Sequence, residues 1–345
     1  MKLRYTLFSG IFALTLLLIT ELLLRMGLTF FGYPFLRPAD YLFTRFYDNM
    51  QELRTKEVRR GGPVKSVLIL GGSVVSAPFS HMESRLDTIL RKHYGPGADF
   101  AFYNIACPGH TSLDNALKYS LLEDHRFDLV IYYEAINENR ANNIPPALFS
   151  DDYTHMRWYH DIHLLRAHPE LNFTVIPYLI HIAASHLRDR LIHQTYISME
   201  QVDPQFEQYG ADIKTGASYR KNMEQIIQIA RKRGDRLLLM SYASYFPPHV
   251  ILTGEQQDMD HFAGCRFASP TLIWGRPENV KKGIDVHNAI LRSLVRQYRP
   301  MFLDMEARMP KEQNLFCDVC HLSEPGAQRF AHEIVEFIIR HKILE

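Results

Sequence analysis

A chain of 345 residues, 46% hydrophobic and 22% charged, is long and apolar enough for one globular domain with appendages. Its net charge of +1 leaves no electrostatic footprint for nucleic acid or for a strongly acidic partner.

Residues 1–30 form the first appendage. Lys2 and Arg4 precede Tyr5–Thr20, which carries no charge, and Leu22–Leu24 extends the apolar run. The 20 residues Tyr5–Leu24, as a helix, reach about the 30 Å of a bilayer's hydrocarbon layer. Glu21 and Arg25 lie four apart, on one helix face, where they can pair at the far interface. No small-x-small cleavage site follows, so the stretch reads as an uncleaved anchor rather than a removed signal peptide. The two basic residues place the N-terminus in the cytoplasm and the bulk of the chain outside. The competing reading is a buried N-terminal helix. Residues 31–64 read as a juxtamembrane connector, with a solvated charged run Glu52–Arg60, ending at Gly61-Gly62-Pro63.

The main domain is expected over 65–345. Val67–Leu70 is an apolar run bounded by Gly71 and Gly72, which predicts a parallel strand buried on both faces, a sharp turn, and Ser73 where a helix starts. That puts a hydroxyl at the carboxyl edge of the sheet, where open α/β folds bind ligands. The plain alternative is an N-cap serine. A helix over His81–Tyr94 and a second strand, Asp99–Ile105, lead into Cys107-Pro108-Gly109-His110. Gly109 can be a simple turn residue or can let a backbone amide approach a reacting centre. After a helix at Leu113–Leu122, Asp128–Tyr133 is a third buried strand, followed by Glu134-Ala135-Ile136-Asn137-Glu138.

The stretch 139–216 reads as an insertion rich in His and aromatic residues, helical around Tyr178–His193, forming part of a substrate wall or lid. His155, His160, His163 and His168 fall there without clustered acidic or cysteine partners, which disfavours a metal site. Ser218–Arg233 is an amphipathic helix, Arg236–Tyr242 a strand, Phe246–Gly283 irregular, Ile284–Tyr298 a helix, Pro300–Leu303 a short strand and Glu324–His341 the closing helix. Alternating strands and helices predict a three-layer α/β/α sandwich with a mostly parallel sheet.

Before the closing helix lies Cys317-Asp318-Val319-Cys320-His321. Asp-x-x-His on a loop can bring a carboxylate beside an imidazole, the pair a serine nucleophile needs as orienting acid and base. The segment also fits Cys-x-x-Cys-His, the c-type haem attachment pattern. That reading is disfavoured because the motif occurs once and its histidine is the one a hydrolase requires. The other cysteines are Cys107 and Cys265, and the spacings leave the pairing open.

Together, the Ser73, Gly109, Asn137 and Asp318/His321 segments resemble, in order, the four sequence blocks of the SGNH/GDSL hydrolase family, in a membrane-anchored bacterial form. The resemblance spans about 65–140 and 215–345. It departs from the family's motifs at Gly72, where Gly-Asp-Ser has aspartate, and at Ala135 and Glu138, where Gly-x-Asn-Asp has glycine and aspartate. It implies Ser73 as nucleophile, His321 as base, Asp318 as its partner, and an oxyanion hole from the Ser73 and Gly109 amides and the Asn137 side chain. It implies no cofactor and no metal. The expected function is a serine esterase or acyltransferase acting on O-acyl, foremost O-acetyl, groups of a cell-surface or exported glycan. It would be held in the membrane by one helix, with the catalytic domain extracytoplasmic (periplasmic in a Gram-negative cell). Alternatives are a lipid or thioester hydrolase at the membrane surface, or a catalytically silent glycan-binding or assembly protein; the intact site set disfavours silence.

Overall fold

A computed structural model describes residues 2–95 and 97–345. In chain order its longer helices are α1 (Lys2–Phe30), α2 (Met82–Tyr94), α3 (Ser112–Ser120), α4 (Arg157–Arg166), α5 (Ile176–Leu191), α6 (Gly216–Arg233), α7 (Pro277–Tyr298) and α8 (Glu324–Arg340). The strands are β1 (Val64–Gly71), β2 (Asp99–Asn104), β3 (Leu129–Tyr133), β4 (Leu237–Met240) and β5 (Met301–Leu303).

The chain divides into two compact units, one from Met1–Gln51 with Arg157–Tyr196, the other from Glu52–Met156 with Ile197–Glu345. The expected insertion is thus split: Arg157–Tyr196 groups with the N-terminal residues, while its flanks stay in the larger unit.

The larger unit holds a five-stranded sheet of order β2-β1-β3-β4-β5, every pair parallel. Val67–Leu70 and Leu129–Tyr133 are essentially fully buried, as continuous apolar runs covered on both faces must be. Asp128 fixes the register where β1 meets β3. Its Oδ2 accepts from the Ser66 amide at 2.9 Å and from the Ser66 hydroxyl at 3.0 Å. Helices α2 and α8 pack together in one layer, and α3, α6 and α7 form the other, so the fold is a three-layer α/β/α sandwich. Local chemistry sets the helix ends. A Thr111/Asp114 capping box opens α3, Ser323 caps α8 by accepting from the Gly326 amide, and Gly234 ends α6 in the left-handed conformation at φ +70°. The stripe Ala327, Phe330, Ala331, Ile334 and Ile338 puts one face of α8 in the core.

Two expectations shift. Helix α7 begins at Pro277 rather than Ile284, because Pro277 occupies the first turn, where a missing amide proton costs nothing. No long helix follows Ser73 directly: Ser73–Val75 is a single 3₁₀ turn, and α2 waits until Met82.

In the smaller unit, Arg4–Phe30 of α1 is long and apolar enough to cross a membrane, and its most apolar stretch is unburied; a signal sequence has the same properties. The side chain of Lys2, used above for orientation, lies outside the described residues. Glu21 and Arg25 do pair, at 2.7 Å. Glu21 also accepts from the Val175 amide at 3.0 Å, where α5 begins, and the Tyr33 and Tyr178 hydroxyls meet at 2.8 Å.

Candidate active site

The carboxyl edge of the sheet is built by short backbone ties. The Gly72 amide donates to Tyr133 O at the end of β3, and the Cys107 amide, just past β2, donates to Gly71 O. The Gly71 amide donates to Asn115 Oδ1 at 2.9 Å. A Cβ at Gly71 would lie 2.4 Å from Tyr133 O, so only glycine lets these strands meet there. The three turns that carry Ser73, Gly109 and Asn137 are thereby set side by side.

Ser73 is 4% exposed, and its backbone oxygen accepts from the Ser76 amide at 3.0 Å and the Ser76 hydroxyl at 2.8 Å. Its Oγ lies 2.7 Å from Nε2 of His321, from the opposite end of the chain. Nδ1 of His321 lies 2.6 Å from Asp318 Oδ2. The carboxylate therefore fixes the tautomer: Nδ1 carries the proton donated to Asp318, and Nε2 accepts from the serine hydroxyl.

Asp318 is fully buried, and four donors surround it. Oδ1 accepts from the amides of Cys320 (2.9 Å) and His321 (2.8 Å), and Oδ2 accepts from His321 Nδ1 and the Ser269 amide (2.8 Å). Burial pushes the Asp318 carboxyl up, but His321 and these amides outweigh it and hold the group below the usual carboxylate value. The loop is closed by the Cys317 amide donating to His321 O at 2.7 Å and by a disulfide between Cys265 and Cys317. Phe79 stacks on the His321 ring at 4.9 Å.

Asn137 is oriented without ambiguity. Its Oδ1 accepts from Arg140 Nη1 and from Trp274 Nε1, each at 3.0 Å, so the amide nitrogen must face the other way. That nitrogen donates one proton to His110 O at 3.0 Å, and it lies 2.9 Å from where a Cβ on Gly72 would stand. Gly109 has φ +81°, a conformation that favours glycine, in the turn after β2. Its carbonyl accepts from Arg140 Nη1 at 3.4 Å, which links it to Asn137. The structure thus brings Ser73, His321 and Asp318 into one hydrogen-bonded chain and sets Asn137 and Gly109 on the adjoining turns.

Sequence reading missed several members of this site. Glu134 is 2% exposed and accepts from the Asn137 amide at 2.7 Å; burial pushes its carboxyl up to about 8. Glu138 is fully buried, accepts from the Ser112 amide at 2.5 Å and from the Tyr153 hydroxyl, and is pushed by burial to about 7. The available signal was the pair Glu134 and Glu138 directly after an apolar core strand, where charge is costly. Trp274 and the Ser269 amide lie in a stretch whose irregular sequence gave no sign of either.

A cavity of about 850 Å³ opens beside this arrangement, lined by His321, Phe79, Phe267, Arg85 and Arg266 among others. Phe79 and Phe267 meet at 4.9 Å, and Arg85 pairs with Glu324 at 2.6 Å.

The haem pattern does not fit. Cys317 is bonded to Cys265, and Cys320 is fully buried with its thiol pushed far up by burial, so the two free thiols that haem attachment requires are not both available. Asp318, Cys320 and His321 place possible ligand atoms within 4.8 Å of one another, but the facing carboxylate and imidazole atoms are already bonded to each other. Two of the candidate histidines of 139–216 are held by local bonds: His155 by the Ser150 amide and Ala141 O, His168 by Glu170 and His181.

The five parallel strands, the serine at the end of the first and the Asp-x-x-His loop before the last helix complete the picture. That arrangement is the one the resemblance to SGNH/GDSL hydrolases implies. No protein-family model matches the chain, and no curated protein does. Among solved structures it is similar to a mutant of an acetyl-xylooligosaccharide esterase from Geobacillus stearothermophilus, at 13% identity over 82% of this chain and 96% of that one, with TM-score 0.43. It is similar to TesA at 13% identity over 81% and 100%, TM-score 0.42. It is also similar to an acetyl xylan esterase, at 13% identity over 79% and 98%, TM-score 0.40.

Proposed function

We propose that the chain is a serine esterase that works through an acyl-enzyme. The observation that carries this is the continuous hydrogen-bonded chain from Ser73 Oγ through His321 to Asp318, with 2.7 and 2.6 Å links. His321 Nε2 takes the serine proton as Oγ bonds to the ester carbonyl carbon. Asp318 holds the imidazolium that results. The Ser73 and Gly109 amides and the second N–H of Asn137 receive the negative charge that develops on the carbonyl oxygen. His321 then returns the proton to the leaving alcohol as the carbon–oxygen bond breaks. Water, or a sugar hydroxyl in a transfer reaction, gives up a proton to His321 and takes the acyl group as its bond to Ser73 Oγ breaks, and His321 returns that proton to Oγ.

Because His321 protonates the leaving alcohol, the cavity beside it suits the alcohol half of the ester. About 850 Å³ far exceeds what an acetyl group needs and falls within the ~300–1,000 Å³ that holds a ligand of drug size. An aromatic pair and two arginines at its wall match a sugar ring, so the favoured substrate is an O-acetylated glycan. The apolar α1 and the Cys265–Cys317 disulfide, which persists in oxidising compartments, support an extracytoplasmic domain on a membrane anchor. Phe30, Phe31 and Leu36, all strongly exposed around the end of α1, fit a position at a lipid interface.

The test is hydrolysis of 4-nitrophenyl acetate by the detergent-solubilised full chain, followed by acetate release from an O-acetylated xylan. Turnover of the small ester that Ser73→Ala removes supports the esterase reading, and acetate release supports the glycan. A wild-type chain inert toward both, or an active Ser73→Ala, contradicts it.

A further inference from the structure

Gly72 precedes the nucleophile, yet its backbone does not need glycine. At φ −97° and ψ −156° it lies in extended territory open to any L residue. What bars a side chain is a neighbour: a Cβ at 72 would stand 1.9 Å from Glu134 Oε2 and 2.9 Å from Asn137 Nδ2. Neither atom is a loose end that could swing away. Glu134 is 2% exposed with its other oxygen held by the Asn137 amide at 2.7 Å, and the Asn137 amide group is fixed by His110, Arg140 and Trp274.

One carboxyl group therefore touches both turns that matter for the proposed reaction. It fills the space a side chain at 72 would take, and it holds the turn that presents Asn137. We infer that Glu134 is a positioning residue for the nucleophile turn and for Asn137, taking over from the end of β3 the space that a side chain before the serine would fill from the end of β1. This rests on the esterase reading. At neutral pH the group is mostly the neutral acid, since burial pushes it up to about 8, and glutamine is its nearest mimic.

The experiment compares Glu134→Ala, Glu134→Gln, Gly72→Asp and the double variant Gly72→Asp/Glu134→Ala in the full chain, by kcat and KM on 4-nitrophenyl acetate and by thermal midpoint. A misplacement near 1 Å costs roughly 100-fold in rate, so Glu134→Ala should lose about 10- to 100-fold in kcat with KM little changed. Glu134→Gln should keep kcat within about threefold, as expected for a group placed by shape and hydrogen bonding. Gly72→Asp should lose about 100-fold, and adding Glu134→Ala should recover activity, because space and carboxyl are then exchanged between the two positions. Wild-type kcat in Glu134→Ala, equal losses in the Ala and Gln variants, or a folded double variant no better than Gly72→Asp each overturns the inference. If Gly72→Asp does not fold, the Ala and Gln pair still decides. If the wild-type chain cleaves no ester, the esterase reading fails on its own. The packing claim then stands or falls on the midpoints: restoration by the second change supports it, and additive losses overturn it.

Discussion

Ser73, His321 and Asp318 form a chain in which each link depends on the next, so their removal should not be additive. Ser73→Ala and His321→Ala are each expected to lose nearly all the acceleration the triad supplies, ~10⁶-fold by analogy with other triads, and the double variant little more. Asp318→Asn should lose less, ~10⁴-fold, since the imidazole remains but in the wrong tautomer. Kinetics on one chromogenic ester check all four; additive losses contradict the arrangement. The buried glutamates make a second prediction. Glu134 and Glu138, pushed by burial to about 8 and about 7, hold protons in the folded state that the unfolded chain has lost, so stability falls as pH rises through those values. His110, His155 and His287, pulled down by burial, change stability only below their ordinary 6.5, and Lys118, brought down to about 8, acts above that. Between pH 6.5 and 8 the thermal midpoint should therefore decline, and Glu134→Gln should flatten the decline in part, Glu138 remaining. A pH-independent wild-type midpoint, or an unchanged slope in the variant, contradicts this. Glu134 was illegible in the sequence for a physical reason. Gly72 looked like the loss of an aspartate, while the carboxyl that occupies its space enters from 62 positions further along the chain.

Among the elements, the loop from Cys265 to Pro270 acts on the site in two ways. Ser269 gives its amide proton to Asp318, and Phe267 stands against Phe79 in the cavity wall. The Cys265–Cys317 disulfide ties that loop to the residue before Asp318, closing a span of 52 residues. On the chain-entropy model such a closure contributes about 4 kcal/mol. Cys265→Ser with Cys317→Ser is expected to lower the thermal midpoint and also kcat, because the Ser269 donor loses its tether. Calorimetry with ester kinetics checks it, and a midpoint or kcat equal to the wild type contradicts it. The strands were legible in position along the chain: β1, β3 and β4 carry unbroken apolar runs, as buried parallel strands do, whereas their order in the sheet was not legible. The disulfide was not, since four cysteines allow several pairings and only the fold brings Cys265 to Cys317. The start of α7 was obscured by Gly283, which reads as a helix breaker. Inside the helix it is required because a Cβ there would meet Asn139 Oδ1 at 1.7 Å.

At the scale of the whole molecule, the split of 139–216 between two units was beyond sequence patterning. Arg157–Tyr196 is amphipathic and helical like any insertion, and what claims it is contact with residues far back in the chain, such as Tyr33 with Tyr178. The apolar α1 carries a topological expectation: a reporter fused after Glu345 that works only outside the cytoplasm should be active, and one that works only inside should be silent. The reverse pattern contradicts the proposed orientation. In the proposed site the two distant ends of the chain meet to make Ser73 a nucleophile, and covalent labelling reads this. The full-length protein, treated with a fluorophosphonate and analysed by peptide mass spectrometry, should carry one adduct on Ser73, absent in Ser73→Ala and greatly slowed in His321→Ala. A protein that takes up no label, or carries it on a different serine with Ser73 untouched, would overturn the proposed role of Ser73.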